Sequence, residues 1–136
     1  MPGPPVRFPY TLVRGRREPI IALGLKFADG WRRVDFYVDS GAAYSIVTAQ
    51  LATVARFDFR QGQRTTVQVG SGEQLPVFLN RLPLQIGPYV IEARIAFCET
   101  FGLHFNLLGR LDVFSRFNIS FREQEGLLIF EPVGAF

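Results

Sequence analysis

The segment 36–42 (FYVDSGA) contains the side chain with the clearest potential for chemistry, the carboxylate of Asp39. An apolar, strand-like stretch, 34–38, runs directly into Asp39, and Ile46-Val47 forms another apolar stretch soon after it. A turn between two core strands lies at the end of a sheet, so the carboxylate is expected beside the Ser40 hydroxyl and nearby backbone amides. A carboxyl group in such a place can take up or release a proton.

The tripeptide Asp-Ser-Gly is weak evidence when it is taken alone. Average residue usage produces it by chance in roughly a few of every hundred chains of this length. All three residue types also favour turns, so Asp39 could equally be a turn carboxylate without a chemical role.

Two further segments follow in the chain. Gly70-Ser71-Gly72 joins two predicted strands, Arg64–Val69 and Gln74–Phe78, and such a sequence is typical of a flexible hairpin tip. The run 107–110 (LLGR) ends a short apolar stretch that begins at Phe105. Any hairpin tip favours glycine, so Gly70 and Gly72 could serve the turn alone.

Together, and in this order, these segments resemble the retropepsin-like, single-lobed branch of the aspartic peptidases. The run 38–42 (VDSGA) matches the family's pattern of an apolar residue, Asp, Thr or Ser, Gly, and Ala or Ser. Ser45-Ile46-Val47 matches the segment that follows it, and 107–110 matches the second signature of two apolar residues, Gly and Arg. The glycine-tipped hairpin lies where the family has its flap, and the similarity extends from about residue 18 to residue 130.

The resemblance implies a function and a role for each matching residue. It makes the chain an aspartic endopeptidase in which Asp39 is catalytic and Ser40 joins the hydrogen bonds that hold two paired loops together. Gly41 would contact the substrate backbone. The resemblance also places Ala42 in the active-site loop and Gly109 and Arg110 in a structural signature. It assigns four residues to the flap: Val69, Gly70, Ser71 and Gly72.

The family's mechanism requires two carboxylates, whereas this chain contains one Asp in an Asp-Ser/Thr-Gly context. The second carboxylate is therefore expected from another copy of the chain across a two-fold axis, which makes the active species a homodimer. A peptide or protein substrate would bind as an added β-strand, with subsites lined by residues such as Ile46, Val47 and Val69. No cofactor or metal is expected.

Two positions depart from the family's pattern. Ala43 stands where retroviral members have an acidic residue that can pair with the Arg of the second signature. Arg110 must therefore find another partner, and we expect a buried guanidinium. Leu111 stands where an Asp or Asn usually follows Gly-Arg, with Asp112 one place later. These departures leave open a catalytically inactive binding or assembly module of the same fold.

The chain of 136 residues is 48% hydrophobic and contains 14 Phe, 13 Gly and 9 Pro, a composition that favours an all-β domain. We expect a closed acid-protease barrel with one or two short helices, at 48–55, where Thr48 is available as the N-cap, and at 111–116. Further strands are predicted at 18–27, 31–38, 82–86, 90–97, 118–121 and 127–130. Residues 1–17 are predicted to be an N-terminal arm and 18–136 the peptidase domain.

Several other classes of protein are disfavoured. The net charge is +3, but the Arg residues are scattered, so a basic nucleic-acid-binding barrel remains only a remote alternative. The one cysteine, Cys98, lies among apolar residues and is expected to be a reduced, packed thiol, which fits the cytoplasm. No apolar run is long enough to cross a membrane. His104 is the single histidine and lacks the partners of a Ser-His-Asp triad.

Overall fold

The computed structural model describes residues 2–100 and 105–136. Within these residues the chain forms twelve strands, one α-helix, α1 (Ala49–Ala55), and one 3-10 turn (Phe59–Gln61). The strands are β1 (Val6–Pro9), β2 (Thr11–Val13), β3 (Arg16–Glu18), β4 (Ile20–Phe27), β5 (Gly30–Val38), β6 (Ser45–Thr48), β7 (Gln63–Gln68), β8 (Gln74–Ile86), β9 (Tyr89–Cys98), β10 (Asn106–Leu108), β11 (Phe117–Arg122) and β12 (Leu127–Pro132). The predicted all-β class with a short helix is confirmed.

Seven strands form the main sheet, in the order β4-β5-β10-β6-β9-β8-β7. Most neighbours are antiparallel, but β5 runs parallel to β10 and β6 runs parallel to β9. A short pairing of Gly24 and Leu25 with Gln85 and Leu84 also joins β4 to β8. This pairing supports the expected closed barrel, although closure itself stays a prediction.

The main core lies on one face of this sheet, and along β4 and β5 buried side chains alternate with more exposed ones. A second, smaller buried cluster, which includes Ile46, Val77 and Ala96, is formed by β6, β7, β8 and β9. On β5, Val34, Phe36 and Val38 are buried, whereas Asp35 between them is exposed. The largest fully buried side chains are aromatic and come from four strands of two sheets, β5, β9, β11 and β12: Phe36, Phe97, Phe117 and Phe130. Cys98 is buried, in agreement with the expectation of a packed thiol.

The second predicted helix, at 111–116, is wrong. These residues form successive turns, and Asp112 has a φ of +65°, in the left-handed region. A right-handed helix cannot continue through a residue in that conformation. The first helix begins after Thr48 as expected, but the Thr48 side chain makes no capping hydrogen bond.

Three predicted strands have different limits in the structure. The stretches 74–78 and 82–86 were predicted as separate strands, but they form the single 13-residue strand β8, which pairs with β7 through its first part and with β9 through the rest. The predicted strand 18–27 is divided at Pro19, because proline lacks the amide hydrogen of a strand ladder. Glu18 therefore ends β3, and β4 begins at Ile20.

The N-terminal residues are not isolated from the rest of the chain. β1 pairs antiparallel with β12, which also pairs with β11, so these strands form a three-stranded sheet. β2 and β3 form a separate hairpin with Arg14 and Gly15 at its tip. The division into an arm, 1–17, and a domain, 18–136, stays a prediction. In the described part of the chain, no helix is long and apolar enough to span a bilayer.

Candidate active site

Asp39 follows directly after β5, at the end of the central strands, and its side chain is partly buried. Its amide donates a 3.0 Å hydrogen bond to the Leu108 carbonyl of the parallel neighbour β10. Its carboxylate accepts a 2.9 Å hydrogen bond at Oδ1 from the Gly41 amide. The loop therefore fixes both the backbone and the carboxylate of Asp39, and it leaves the other carboxylate oxygen free of intrachain hydrogen bonds among the described residues.

The run 107–110 lies against the Asp39 loop. The Gly109 amide donates a 3.0 Å hydrogen bond to the buried Ser45 hydroxyl, and the Arg110 amide donates a 2.9 Å hydrogen bond to the Ala42 carbonyl. A Cβ atom on residue 109 would overlap the Tyr44 carbonyl and lie 2.8 Å from the Ala42 carbonyl oxygen. Glycine is therefore required at 109 because two backbone segments pass closely there.

Two of the predicted subsite residues, Ile46 and Val47, are neighbours on β6, and only one of them lines the cleft. Ile46 points into the cleft beside Asp39, whereas Val47 is fully buried in the main core. The prediction that Val47 lines a subsite is therefore wrong, because successive side chains on a strand face opposite sides of the sheet. Val69 does line the cleft, as expected.

The hairpin of β7 and β8 covers the other side of this cleft. At its tip the Gly72 amide donates a 2.8 Å hydrogen bond to the Val69 carbonyl, and the Val69 amide donates a 3.0 Å hydrogen bond to the Glu73 carbonyl. Gly72 has a φ of +85°, so the turn itself favours glycine there. Gly70 has ordinary negative φ, and a Cβ on it would meet open space. The structure thus gives Gly72, but not Gly70, a local reason to be glycine.

The cleft between the Asp39 loop and this hairpin has a volume of about 950 Å³. It contains one carboxylate on each wall, Asp39 on the loop and Glu73 on the hairpin. Its apolar wall residues come from β6, β7, β8, β10 and the tip of the hairpin: Ile46, Val67, Val69, Leu75 and Leu107. Sequence reasoning missed Glu73 and Tyr44, which also lines the cleft, because no motif includes them. For Glu73, the available signal in the sequence was its position directly after Gly72, at the glycine tip of the predicted hairpin.

Arg110 does not have the buried position that we expected. Its side chain is exposed, and in residues 2–100 and 105–136 its guanidinium has no ion-pair or hydrogen-bond partner. The expectation is wrong because Asp112, the nearby acidic residue, pairs with Arg94 of β9 instead. Asp112 accepts hydrogen bonds of 2.9 Å from the Arg94 amide, Nε and NH2 groups. These side-chain hydrogen bonds hold the pKa of the Asp112 carboxyl below its usual range, although partial burial acts in the opposite direction.

Ser40 is exposed next to Asp39, and within the described residues its hydroxyl has no hydrogen-bond partner. Ala42 is partly buried and connects the Asp39 loop to the run 107–110. Its amide donates a hydrogen bond to the Asp39 carbonyl, and its carbonyl accepts one from the Arg110 amide. The structure thus brings Asp39, Ser40, Gly41 and Ala42 together with Gly109 and the hairpin. His104, which we expected to have no catalytic role, lies outside the described residues.

Tyr37 lies two residues before Asp39 and was not identified from the sequence as part of the site. Burial raises the pKa of the Tyr37 phenol, and Glu18, to which the phenol donates a 3.4 Å hydrogen bond, raises it further. The Tyr37 ring also lies 5.9 Å from the Phe105 ring. Tyr37 is therefore a neutral phenol close to Asp39 in the chain, but it does not line the cleft itself.

No family model and no curated protein sequence matches the chain. Solved structures do match it. A retropepsin-like aspartic protease from Rickettsia conorii superposes with a TM-score of 0.67 at 21% identity and covers 93% of this chain and 98% of its own. EIAV protease in complex with an inhibitor gives a TM-score of 0.56 at 15% identity, covering 77% of this chain and 92% of its own.

A third similar structure is the retroviral protease-like domain of Ddi1 from Leishmania major. It superposes with a TM-score of 0.54 at 20% identity and covers 87% of this chain and 94% of its own. The superpositions span most of each chain, so they concern the whole architecture rather than one motif. The chain has the fold of the retropepsin-like aspartic proteases.

Proposed function

We propose that the chain is an aspartic endopeptidase that acts as a homodimer, with Asp39 of each copy as a catalytic residue. The observation that carries this proposal is the cleft of about 950 Å³, in which the Asp39 carboxylate, oriented by the Gly41 amide, faces a glycine-tipped hairpin. A cleft closed by a hairpin is suited to an extended peptide. The fold supports the same function.

The chemistry needs two carboxyl groups that share one proton. Two carboxylates held about 3 Å apart cannot both be ionised, so one is protonated and the other is not. The ionised group removes a proton from a water molecule, whose oxygen attacks the carbonyl carbon of the scissile peptide bond, while the protonated group gives its proton to the carbonyl oxygen. The group that took the proton from water then gives it to the amide nitrogen, and the other group takes a proton from a hydroxyl of the tetrahedral intermediate. The carbon–nitrogen bond breaks, and the pair again shares one proton.

The second carboxyl group is expected from another copy of the chain. The sequence has one Asp-Ser-Gly segment, and the exposed Ser40 hydroxyl beside it lacks a partner among the described residues. A two-fold axis beside Asp39 would bring the two Asp39 carboxylates together and would give each Ser40 a partner. Arg110, which is also exposed, lies against the same loop through its amide.

The substrate would lie between the Asp39 loop and the hairpin as an added strand. Ile46, Leu107 and Val69 give the cleft apolar walls near Asp39, which favours apolar substrate side chains beside the scissile bond. The exposed backbone of Gly70 and Ser71 is available to bond the peptide from the hairpin side.

Cleavage of a diverse peptide library by the wild type and by Asp39→Asn tests this function. The wild type should cleave a subset of peptides between about pH 3 and pH 7, and Asp39→Asn should lose at least about a thousandfold of that activity, since asparagine cannot exchange the proton. The Asn side-chain oxygen can still accept the Gly41 hydrogen bond, so the fold should be preserved. Asp35→Asn is the matched control, because Asp35 is an exposed residue of β5, the strand that precedes Asp39, and does not line the cleft. A wild type that cleaves nothing in this range contradicts the proposal.

A further inference from the structure

A second cavity, of about 470 Å³, lies beside the cleft on the hairpin formed by β2 and β3. Among residues 2–100 and 105–136, it shares no lining residue with the cleft. Three of the six residues that line it are charged, and two others are aromatic. The six are Val13, Arg14, Arg16, Glu18, Tyr37 and Phe105.

The strands β5 and β10 connect the two cavities. Tyr37 precedes Asp39 by two residues, and Phe105 precedes Leu107 by two residues, and these spacings place each pair on one side of its extended segment. Asp39 and Leu107 line the cleft, whereas Tyr37 and Phe105 line the second cavity. Two residues of extended chain span about 6.6 Å, so on these two segments the residues that line the second cavity lie about that distance from those that line the cleft.

The hairpin of β2 and β3 presents one of its faces to the second cavity. Val13 is the cross-strand partner of Arg16, and Thr11 is the partner of Glu18, so these four side chains share a face. Leu12 and Arg17 are partners on the opposite face. Arg16, which lines the cavity, and its neighbour Arg17 therefore face opposite sides of the hairpin.

The hairpin is attached to the rest of the chain from its opposite face. Arg17 donates 3.3 Å hydrogen bonds to the carbonyl groups of Gln124 and Glu125 in the turn between β11 and β12. At its base, the Thr11 hydroxyl donates a 2.5 Å hydrogen bond to the Ile20 carbonyl. These contacts make the hairpin a fixed wall of the cavity rather than a free loop.

The charge of this wall is not balanced within the described part of the chain. Arg14 and Arg16 are exposed, and neither guanidinium has an ion-pair partner there. Glu18 is nearer the base of the hairpin, where its carboxylate accepts the Tyr37 hydrogen bond. Arg14 also has a φ of +50° at a tip where Asn, Asp or Gly is the usual residue. The turn therefore contains an arginine that its own conformation does not favour.

We propose that this cavity is a specificity pocket for an acidic side chain of the substrate, which Arg14 and Arg16 hold one to three residues from the scissile bond. This inference rests on the proposed peptidase function. A guanidinium group binds a carboxylate through two parallel hydrogen bonds, and the aromatic floor of Tyr37 and Phe105 would pack against the methylene groups of a Glu side chain.

A positional peptide library tests the pocket. Each position from three residues before to three residues after the cleavage site carries Glu, Gln, Leu or Lys, and the products are quantified by mass spectrometry. At one of these positions the wild type should cleave the Glu peptide about fivefold faster than the Gln peptide and should disfavour Lys. A wild type that cleaves the library with no preference for Glu at any position overturns the pocket but leaves the proposed function standing.

Matched variants assign the preference to the two arginines. Arg14→Gln with Arg16→Gln should abolish the preference for Glu at that position and leave the others unchanged. The control, Arg7→Gln with Arg56→Gln, removes the same net charge from exposed residues that line neither cavity, and Arg56 has a φ of +56° that matches Arg14. Loss of the preference in the control as well would overturn the assignment, because it would then depend on the overall charge.

A binding measurement separates failure of the pocket from failure of the peptidase function. If the wild type cleaves no peptide, the proposed function is wrong, and fluorescence anisotropy of the labelled Glu and Gln peptides on the Asp39→Asn protein then tests the pocket alone. Tighter binding of the Glu peptide by about fivefold, lost in the Arg14 and Arg16 double variant, supports the pocket. Equal binding of the two peptides overturns it.

Discussion

The Gly109 amide donates a 3.0 Å hydrogen bond to the Ser45 hydroxyl, which is fully buried. The two residues are 64 positions apart, and they lie in different segments: Ser45 follows the Asp39 loop and Gly109 follows β10. Further bonds from Arg110 and Leu111 to the carbonyl groups of Ala42 and Ala43 extend this contact. The position of Asp39 therefore depends on a segment much later in the chain.

Gly109→Ala should destabilise the protein by roughly 3 kcal/mol. The added methyl group would overlap the Tyr44 carbonyl and crowd the Ala42 carbonyl, and neither backbone group can move aside easily. Urea unfolding monitored by tryptophan fluorescence measures the change. Gly70→Ala is the matched control and should change the free energy of unfolding by less than about 1 kcal/mol, since its Cβ would meet open space. Equal effects of the two substitutions would show that the close approach at 109 is not a constraint.

Ser40→Ala should weaken self-association without destabilising the single chain. The Ser40 hydroxyl is exposed and has no partner among the described residues, so its loss should change the free energy of unfolding by less than about 0.5 kcal/mol. If the hydroxyl bonds across the dimer axis, its loss should raise the dimer dissociation constant by about three- to tenfold. Sedimentation velocity over a range of concentrations measures this, with the exposed Ser115→Ala as the control. An unchanged dissociation constant argues against Ser40 in the interface.

Asp112→Asn should reduce stability at neutral pH and should have a smaller effect in acid. Hydrogen bonds from Arg94 hold the pKa of Asp112 below its usual value of 3.8, so the ion pair contributes stability above that pH and loses it as the pH falls through the lowered pKa. Asparagine tolerates the positive φ of this residue, so the substitution removes the charge without adding backbone strain. Thermal unfolding at pH 7 and pH 3 measures the difference from the wild type. A difference of equal size at both pH values would contradict the role of the charge.

Much of the fold and the position of the Asp39 loop follow from local patterns. Alternating apolar residues predict most of the strands, and Gly70-Ser71-Gly72 predicts the hairpin tip that the structure places over the cleft. These signals are local because strand alternation and turn chemistry depend on residues close in sequence. These local signals did not predict that 74–78 and 82–86 form one strand, β8. The intervening residues 79–81 belong to that strand because they pair with β9.

The remaining errors concern side-chain directions and long-range partners. Alternation establishes that Ile46 and Val47 face opposite sides of β6, but only the packed sheet determines that Val47 is the one in the core. The partner of Asp112 is 18 residues earlier in the chain, and no local pattern connects it to Arg94. That pairing leaves Arg110 exposed, which is why its expected burial was wrong. The left-handed φ of Asp112 also prevents the helix that was predicted at 111–116.

The central claim is that one chain supplies half of an active site, and mixing wild type with Asp39→Asn tests it most directly. The two proteins are combined at a fixed wild-type concentration and a threefold excess of variant, allowed to exchange subunits, and assayed on a cleaved peptide. If two Asp39 carboxylates are needed, only wild-type homodimers are active, and activity per wild-type chain should fall to about a quarter. An equal excess of Asp35→Asn should not lower it. Unchanged activity in the presence of Asp39→Asn would show that a single chain completes the reaction, and it would contradict the account.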